Sequence, residues 1–232
     1  EASGGKGLFT SALEQAIVQG EADLAVHSSK DLPTEMPEGV ALAGFLPRAW
    51  PGDALFIRSH LSEPGMIATG SPRRRAQLKW VFPHAAWKEI RGNVQTRLQK
   101  VADGFADATV MAMAGLHRLG IGEWPGLRMV PLPLKVSVPA PGQGAIGMQV
   151  RTADREAFAR VFCPRTALAV EWERSFLSAM GGGCHSATAA LYLNGSLHTF
   201  HEGPGYRCLE IPDSLRAAGS SKRLSWIQEQ LS

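Results

Sequence analysis

Short apolar runs alternate with helical patterns along the first half of the chain. The runs at 23–27, 66–69, 87–90 and 107–113 each predict a strand, because turn residues bound a few largely apolar positions. Strands that alternate with helices predict an α/β fold with a mostly parallel sheet. In such sheets, ligands bind beyond the carboxyl ends of the strands.

Capping residues mark where the intervening helices begin and end. Asn93 predicts the start of a helix that runs to about residue 102, and Gly104 ends it. Ser71 and Pro72 predict a second helix start, since serine favours the N-cap and proline the first helical position. Both helices are therefore expected to follow a strand closely.

Two further helices are predicted from the residues that would cap them. Ser11 and Glu14 have capping-box spacing, so a helix is expected to start at Ser11 and to end at Gly20. Thr166 is expected to cap another helix, which glycines 181–183 end. Its apolar face is predicted from helical spacing and comprises Leu168, Trp172, Phe176 and Met180.

The order of these elements suggests more than one structural unit. The similar stretches "GEADLAV" (20–26) and "GFADATV" (104–110) both lie at a helix-to-strand junction, which fits either a common loop or two similar lobes. The proline- and glycine-rich stretch 131–151 is predicted to cross between lobes. Beyond it, weakly patterned strands and a helix near 220–231 predict a small separate α/β domain.

Composition narrows the function classes. The chain has 232 residues and a formal net charge of +3, which by itself does not indicate nucleic acid. No apolar run approaches the roughly 18 residues that a membrane span needs. The three cysteines lack C-x-x-C spacing, which disfavours a disulfide framework or zinc ribbon and favours a reducing, cytoplasmic location; they are Cys163, Cys184 and Cys208.

Arginines recur after the predicted strands. Arg73 and Arg74 fall in the first turn of a helix, Arg91 follows a strand, and Arg97 lies one turn into the next helix. Guanidinium groups near helix N-termini favour carboxylates or phosphates, so an anion-binding cleft is preferred to a solvated basic face. Nucleic acid is disfavoured, because the arginines are not interleaved with aromatic residues.

Lys30 and Asp31 end the first predicted strand, before Leu32-Pro33 turns the chain away. An aspartate beside an arginine-lined cleft can face a cationic substrate group and exchange protons with it. A turn cap is the alternative role for this aspartate.

Cys184 follows three glycines at the negative end of a predicted helix, which disfavours a standing thiolate but permits one covalent attachment. An ordinary small buried residue is the alternative. His198 and His201 form an H-x-x-H pair, and His185 adjoins Cys184. Because acidic or cysteine partners are missing at ligand spacing, no metal site is predicted.

Seven motifs occur in the order found in one enzyme family, and the sequence closely resembles hydroxymethylbilane synthases, also called porphobilinogen deaminases. The resemblance extends from residue 4 to about residue 184. The motifs are "GGKGLF" (4–9), "ADLAVHSSKDLP" (22–33), "RRRAQL" (73–78), "IRGNVQTRL" (90–98), "AGLHRLG" (114–120), "PAPGQGAIG" (139–147) and "GGGC" (181–184).

The resemblance implies an activity and a cofactor. The family joins four porphobilinogen molecules into the linear tetrapyrrole hydroxymethylbilane, with loss of ammonia at each step. Its dipyrromethane cofactor would be attached through a thioether to Cys184. Asp31 matches the catalytic aspartate, which would assist ammonia loss and stabilise the azafulvenium cation that results.

The resemblance also assigns binding residues for the acetate and propionate groups. By motif position, the cofactor would be held by Ser28, Lys30, Arg73, Arg74 and Arg91. Substrate would be bound by Lys6, Arg97 and Arg118.

The fold implied is α/β, with two periplasmic-binding-protein-like (type II) lobes around a cleft and a small C-terminal α/β domain. Lobe one is expected at 1–46 and 142–162, lobe two at 50–138, and the domain that carries the attachment cysteine at 163–232. A monomer is expected, with porphobilinogen as its small-molecule partner and with neither nucleic acid nor membrane as a partner.

Three departures from the family pattern bear on activity. The opening strand–helix–strand of the family is absent, residues 185–187 replace the usual glutamine-valine-proline, and Gly70 and Pro72 replace commoner residues. The natural protein is expected to be a synthase, whereas this chain alone is expected to be impaired or a fragment. The alternatives are a decayed relative and a non-catalytic two-lobed protein that binds an anionic small molecule, which would need neither Asp31 nor Cys184.

Overall fold

The computed structural model describes residues 6–33, 35–159, 161–181 and 187–231. The helices are α1 (Lys6–Gln19), α2 (Pro72–Leu78), α3 (Val94–Ala102), α4 (Met113–Arg118), α5 (Arg155–Ala159), α6 (Pro164–Ala179) and α7 (Ser220–Leu231). The strands are β1 (Leu24–Ser28), β2 (Val40–Phe45), β3 (Asp53–Arg58), β4 (Met66–Ala68), β5 (Ala86–Lys88), β6 (Ala108–Ala112), β7 (Leu127–Pro131), β8 (Ile146–Arg151), β9 (Ala189–Leu193), β10 (Ser196–His201) and β11 (Gly205–Glu210). The predicted α/β class is confirmed.

Three sheets organise these elements. The first has the strand order β1-β8-β2, the second β5-β4-β6-β3-β7, and the third β11-β10-β9. Helix α1 packs on the first sheet through Ile17, which is fully buried against Ala25 and Val40. The second sheet has apolar clusters that include Phe56 and Leu98 in one, and Ile67 and Leu78 in another.

The prediction of a mostly parallel sheet is wrong. Among the described strands only the pairs β4–β5 and β4–β6 are parallel, and the other pairs are antiparallel. Strand β3 runs antiparallel to both of its neighbours, and β8 runs antiparallel to β1 and β2. Local strand and helix order does not fix these directions, because the chain enters β3 and β8 from long connections between sheets.

Two connections join the first and second sheets. Residues 46–52 lead from β2 to β3, and residues 132–145 lead from β7 back to β8. The predicted crossing stretch 131–151 is therefore correct only up to residue 145, because Ile146–Arg151 forms the central strand of the first sheet. We call 46–52 and 132–145 the two crossing segments.

The third sheet packs on α6 and α7. Trp172 and Phe176 are buried against Leu197 and Ile227, and Leu168 and Met180 pack at the margin of this cluster, which confirms the predicted apolar face of α6. On the other face of the sheet, Phe200 belongs to a cluster that also contains residues of α2 and of the second crossing segment.

Most capping predictions are confirmed. Asn93 Oδ1 accepts a hydrogen bond from Thr96 N at 2.8 Å, and Ser71 caps α2 with Pro72 in its first turn. The helix end at Gly104 is confirmed by its left-handed backbone, with φ of +89°. Ser11 does not start α1, because the helix already begins at Lys6.

Thr166 does not cap α6 either. The helix begins at Pro164, with Cys163 in the N-cap position, and Thr166 lies buried inside the first turn. Its hydroxyl instead accepts a hydrogen bond from Arg48 N in the first crossing segment. Within the described part of the chain, none of the helices has the length and apolar character that crossing a membrane requires.

Candidate functional site

Strand β1 delivers Lys30 and Asp31 to the region where the crossing segments meet. The strand ends at the half-buried Ser28, and a single helical turn at Ser29–Asp31 follows. Ser29 N donates to Ala145 O at 3.0 Å, so this turn is fastened to the second crossing segment. The buried Leu32 then leads the chain away, as the Leu32-Pro33 pair predicts.

Arg73 and Arg74 project from the first turn of α2 onto one buried carboxylate. Asp53 is fully buried, and its Oδ2 lies 2.9 Å from Arg73 Nη2. Arg74 approaches the same group at two points, with Nη2 2.7 Å from Oδ1 and Nε 3.2 Å from Oδ2. Arg74 Nη1 also donates to Val110 O, which ties α2 to the middle of β6.

Asp53 also accepts hydrogen bonds from two residues of the second crossing segment. Gln143 Nε2 donates to Oδ1 at 2.8 Å, and Ser137 Oγ donates to Oδ2 at 3.0 Å. Burial tends to raise the pKa of the Asp53 carboxyl, but the charges of Arg73 and Arg74 outweigh it and hold the pKa well below its usual range. Asp53 is therefore a permanent anion that orients both guanidinium groups.

Sequence reasoning missed Asp53. It opens an apolar strand in "DALFI", which is the available signal: an acid beside so many buried positions needs a partner. Its partners are 20 to 90 residues away in sequence, so their identity is visible only in the fold.

Lys30 comes from the first sheet but experiences the charges of this cluster. Burial lowers the pKa of Lys30 to about 8, and the positive charge of Arg74 adds to the shift, followed by that of Arg73. The carboxylates of Asp31 and Asp53 oppose it. The structure thus brings the predicted residues Lys30, Asp31, Arg73 and Arg74 into one electrostatic unit.

Arg97 joins this unit, whereas Arg91 does not. Burial and the charge of Arg74 lower the pKa of Arg97, whose Nε donates to Gly92 O at 2.7 Å. Arg91 is exposed between β5 and α3, and no contact of its side chain within the described residues links it to Arg74.

The remaining predicted residues lie at other points around the crossing segments. Arg118 Nη2, at the end of α4, donates to Gly144 O at 2.8 Å. Lys6 is the first residue of α1, and its side chain lies outside the described part of the chain. Cys184 also lies outside the described residues, five positions after α6 ends at Ala179.

A second buried acid, which sequence reasoning also missed, joins α6 to both crossing segments. Glu173 forms a two-point pair with Arg48, at 2.6 Å to Nη1 and 3.0 Å to Nη2. Glu173 also accepts hydrogen bonds from Gly142 N at 2.7 Å and from Tyr192 N at 3.0 Å. Burial raises the pKa of Glu173, and Arg48 is the principal opposing influence. This junction fixes the start of the third sheet relative to both crossing segments.

Other candidate chemistry has structural roles. Among the described residues, no group of three His, Cys, Asp or Glu side chains is placed to hold a metal ion. His198 Nδ1 lies 3.0 Å from the Tyr206 hydroxyl on the neighbouring strand. Cys163 and Cys208 are free thiols.

The arrangement favours anions near Asp31. Four cationic side chains, those of Lys30, Arg73, Arg74 and Arg97, share this region with the carboxylates of Asp31 and Asp53. Like charges have been brought together and partly desolvated, which costs free energy in the ligand-free fold. A ligand that carries carboxylates would relieve this repulsion.

Comparisons with known proteins agree with this chemistry. The family model described as "Porphobilinogen deaminase, dipyromethane cofactor binding domain" matches residues 1–159. Porphobilinogen deaminase from Moorella thermoacetica is 43% identical over 196 residues, which cover 81% of this chain and 62% of that protein. The enzyme of the same name from Chromobacterium violaceum is 45% identical over 190 residues, which cover 78% of this chain and 60% of that protein.

The chain therefore spans about three fifths of the length of these curated relatives. Among solved structures, the periplasmic VFT2 domain of Bordetella pertussis BvgS aligns with a TM-score of 0.41 at 17% identity, over 68% of this chain and 66% of that one. This distant likeness adds nothing to the family assignment. The family model covers more than half of the sequence, and the chain belongs to the porphobilinogen deaminase family.

Proposed function

We propose that this chain is the cofactor-binding and catalytic part of a hydroxymethylbilane synthase, which condenses four porphobilinogen molecules into a linear tetrapyrrole and releases ammonia. The observation that carries the proposal is the meeting of the Lys30–Asp31 turn with the Arg73–Arg74 pair. One acid that can exchange protons lies beside cations that can bind the carboxylates of the substrate.

The charge of the site fits a dipyrromethane. Such a group carries an acetate and a propionate on each ring, and the cluster around Lys30 has more cations than carboxylates. When bound, a dipyrromethane supplies the pyrrole chain from which the product is extended. We assign its attachment to Cys184 and its carboxylate contacts to Ser28, Lys30, Arg73, Arg74 and Arg91.

Asp31 is proposed to hold a proton close to the reacting amine. Its carboxyl lies one residue from Lys30, in a turn that β1 and the second crossing segment hold in place. As an acid it can give its proton to a neutral amino group of porphobilinogen, which then departs as ammonia with the electron pair of the C–N bond. As a carboxylate it would also stabilise positive charge on the substrate.

Lys6, Arg97 and Arg118 are proposed to bind the incoming substrate. Arg97 already lies within the field of Arg74, and Arg118 contacts the second crossing segment at Gly144. A substrate carboxylate that bridges Arg97 and Arg74 would replace their repulsion with two charge-assisted hydrogen bonds. We also propose a cytoplasmic monomer, because the free thiols Cys163 and Cys208 suit a reducing compartment.

The decisive experiment measures the intact mass of the denatured protein beside a Cys184→Ser variant. A mass increase equal to two linked pyrroles, absent from the variant, would establish the cofactor and its attachment residue. The same preparations are then incubated with porphobilinogen, and ammonia and linear tetrapyrrole are measured. Binding of porphobilinogen without release of ammonia, by a protein with no added mass, would instead indicate a non-catalytic binding protein.

The same experiment also compares two lengths of the protein. The chain is measured as it stands and as part of a protein extended to the length of the curated relatives. Turnover by the extended protein alone would show that the added portion is required, whereas equal turnover by both would show that residues 1–232 suffice. The absence of turnover and of added mass from both would overturn the proposal.

A further inference from the structure

We infer that Arg174 is a positioning residue, which holds the segment that carries Asp31 against helix α6. Arg174 Nη2 donates a hydrogen bond to Pro33 O, two residues after Asp31. The inference rests on the proposed function, because it assigns Arg174 a role in the same site. Its proposed action is through the backbone of this segment, at Pro33 O.

Helix α6 is a rigid support for such a contact. The neighbouring residue Glu173 is fully buried and accepts hydrogen bonds from Arg48, from Gly142 N and from Tyr192 N. Trp172, on its other side, is fully buried and donates through Nε1 to Arg216 O. Arg174 therefore projects from a backbone that its own neighbours fix in place.

The segment that receives the bond is also held at its beginning. Ser29 N donates to Ala145 O at 3.0 Å, and Leu32 N donates to Ser29 O at 3.3 Å. The first bond holds the beginning of the turn, and the second lies within it. The contact with Arg174 fixes the far end, so Asp31 lies between two anchors on different parts of the fold.

The same helix precedes the attachment cysteine in the sequence. α6 ends at Ala179, and Cys184 follows five residues later. The helix that bonds directly to the Asp31 segment thus ends five residues before Cys184 in the sequence. Reactions in held geometries lose up to about 100-fold in rate when a group is misplaced by an ångström. A tether between α6 and the Asp31 segment would limit displacement of the acid.

The test compares Arg174→Met, which removes the donors, with Arg174→Lys, which retains one charged donor. Arg165→Met is the matched control, because Arg165 is an exposed arginine on the same helix. For each protein, kcat, KM and unfolding midpoint are measured, together with hydrogen exchange of the backbone amides at 29–32. We expect Arg174→Met to lower kcat about tenfold with little change in KM, to speed exchange at 29–32, and to leave cofactor loading intact. Arg174→Lys should recover part of both effects.

The inference is overturned if Arg174→Met keeps kcat within twofold of the parent and exchange at 29–32 is unchanged. It is also overturned if the loss of kcat accompanies a general loss of stability that Arg174→Lys does not relieve. If the parent protein does not turn over porphobilinogen at all, the proposed function fails. The exchange measurement then still decides whether Arg174 holds the segment.

Discussion

Arg74 and Asp53 form a two-point ion pair inside the protein, with Nη2 2.7 Å from Oδ1 and Nε 3.2 Å from Oδ2. The pair joins helix α2 to the first residue of β3, and Arg73 shares the same carboxylate. The arginines that family resemblance assigns to the cofactor are thus preorganised by an acid that sequence reasoning did not identify. Their orientation is fixed before any ligand binds.

Asp53→Asn is expected to lower the free energy of unfolding by about 3–5 kcal/mol, because two buried guanidinium groups lose their counter-ion. Urea unfolding at pH 7 measures the change. Glu89→Gln breaks the exposed pair between Arg75 and Glu89 and should cost less than about 1 kcal/mol. Equal effects of the two variants would contradict the role given to Asp53.

The contribution of Asp53 should also depend on pH. Its pKa in the folded protein lies below that of the unfolded chain, so its stabilisation is fully present above the unfolded value. The stabilisation is lost as the pH falls through the folded pKa. Asp53→Asn should therefore show a shallower loss of stability in acid than the parent protein, measured as the urea midpoint between pH 6 and pH 3.

The shifted pKa of Lys30 predicts a change in cofactor loading at alkaline pH. In the free protein its pKa is about 8, so it is charged below that pH and neutral above it. Loading of the cofactor-free protein, measured as the added mass of two linked pyrroles, should weaken as the pH increases through 8, because a charged partner of the cofactor carboxylates is lost. Lys30→Arg, which remains charged, should remove this step, whereas Lys88→Arg at an exposed lysine should leave it in place.

The lowered pKa of Lys30 also predicts how stability changes with pH. The unfolded chain keeps the ordinary value of 10.5, so it binds more protons than the folded protein between about pH 8 and pH 10.5. The free energy of unfolding should therefore gain a favourable contribution from Lys30 as the pH rises through that window. A step of the same sign and size in Lys30→Met would show that another group is responsible.

A methyl group added at Gly142 is expected to destabilise the fold. Its φ is +73°, and a Cβ there would lie 2.5 Å from Ser29 Oγ and 3.2 Å from Ser29 C. Gly142→Ala should lower the free energy of unfolding by about 2 kcal/mol or more, since backbone strain adds to the clash. Gly115→Ala is the control, because Gly115 is helical and has nothing within 4 Å of the new Cβ, and it should gain up to about 1 kcal/mol. Denaturant midpoints distinguish the two outcomes, and equal midpoints would contradict this prediction.

Local sequence signals predicted the parts of the fold that are decided locally. Asn93 and Ser71 cap their helices as expected, because the cap and its hydrogen-bond donor are three residues apart. Ser11 and Thr166 carry the same kind of signal, but Lys6 and Pro164 start those helices earlier. A capping preference of about 1 kcal/mol does not by itself decide where a helix begins.

Only part of the site was predictable from the sequence, because some of its contacts join residues that are far apart along the chain. Lys30, Asp31 and the Arg73–Arg74 pair could be identified because each follows a strand, where ligand-binding groups gather. Asp53 and Glu173 could not, because an acid in a strand or helix is usually exposed and nothing nearby in sequence marks its partner. The partners of Asp53 come from α2 and the second crossing segment, and those of Glu173 from both crossing segments and β9, which only the fold brings together.

Replacing Arg97 distinguishes a role in substrate binding from a role in the stability of the fold. Burial and the charge of Arg74 lower its pKa, so its charge destabilises the ligand-free protein. Arg97→Met should therefore leave the free energy of unfolding unchanged within about 1 kcal/mol while it raises KM for porphobilinogen about tenfold, the loss of one charge-assisted hydrogen bond. Arg128→Met, at an exposed arginine on β7, should change neither quantity. Loss of stability without a change in KM would instead mean that Arg97 serves the fold through its bond to Gly92 O.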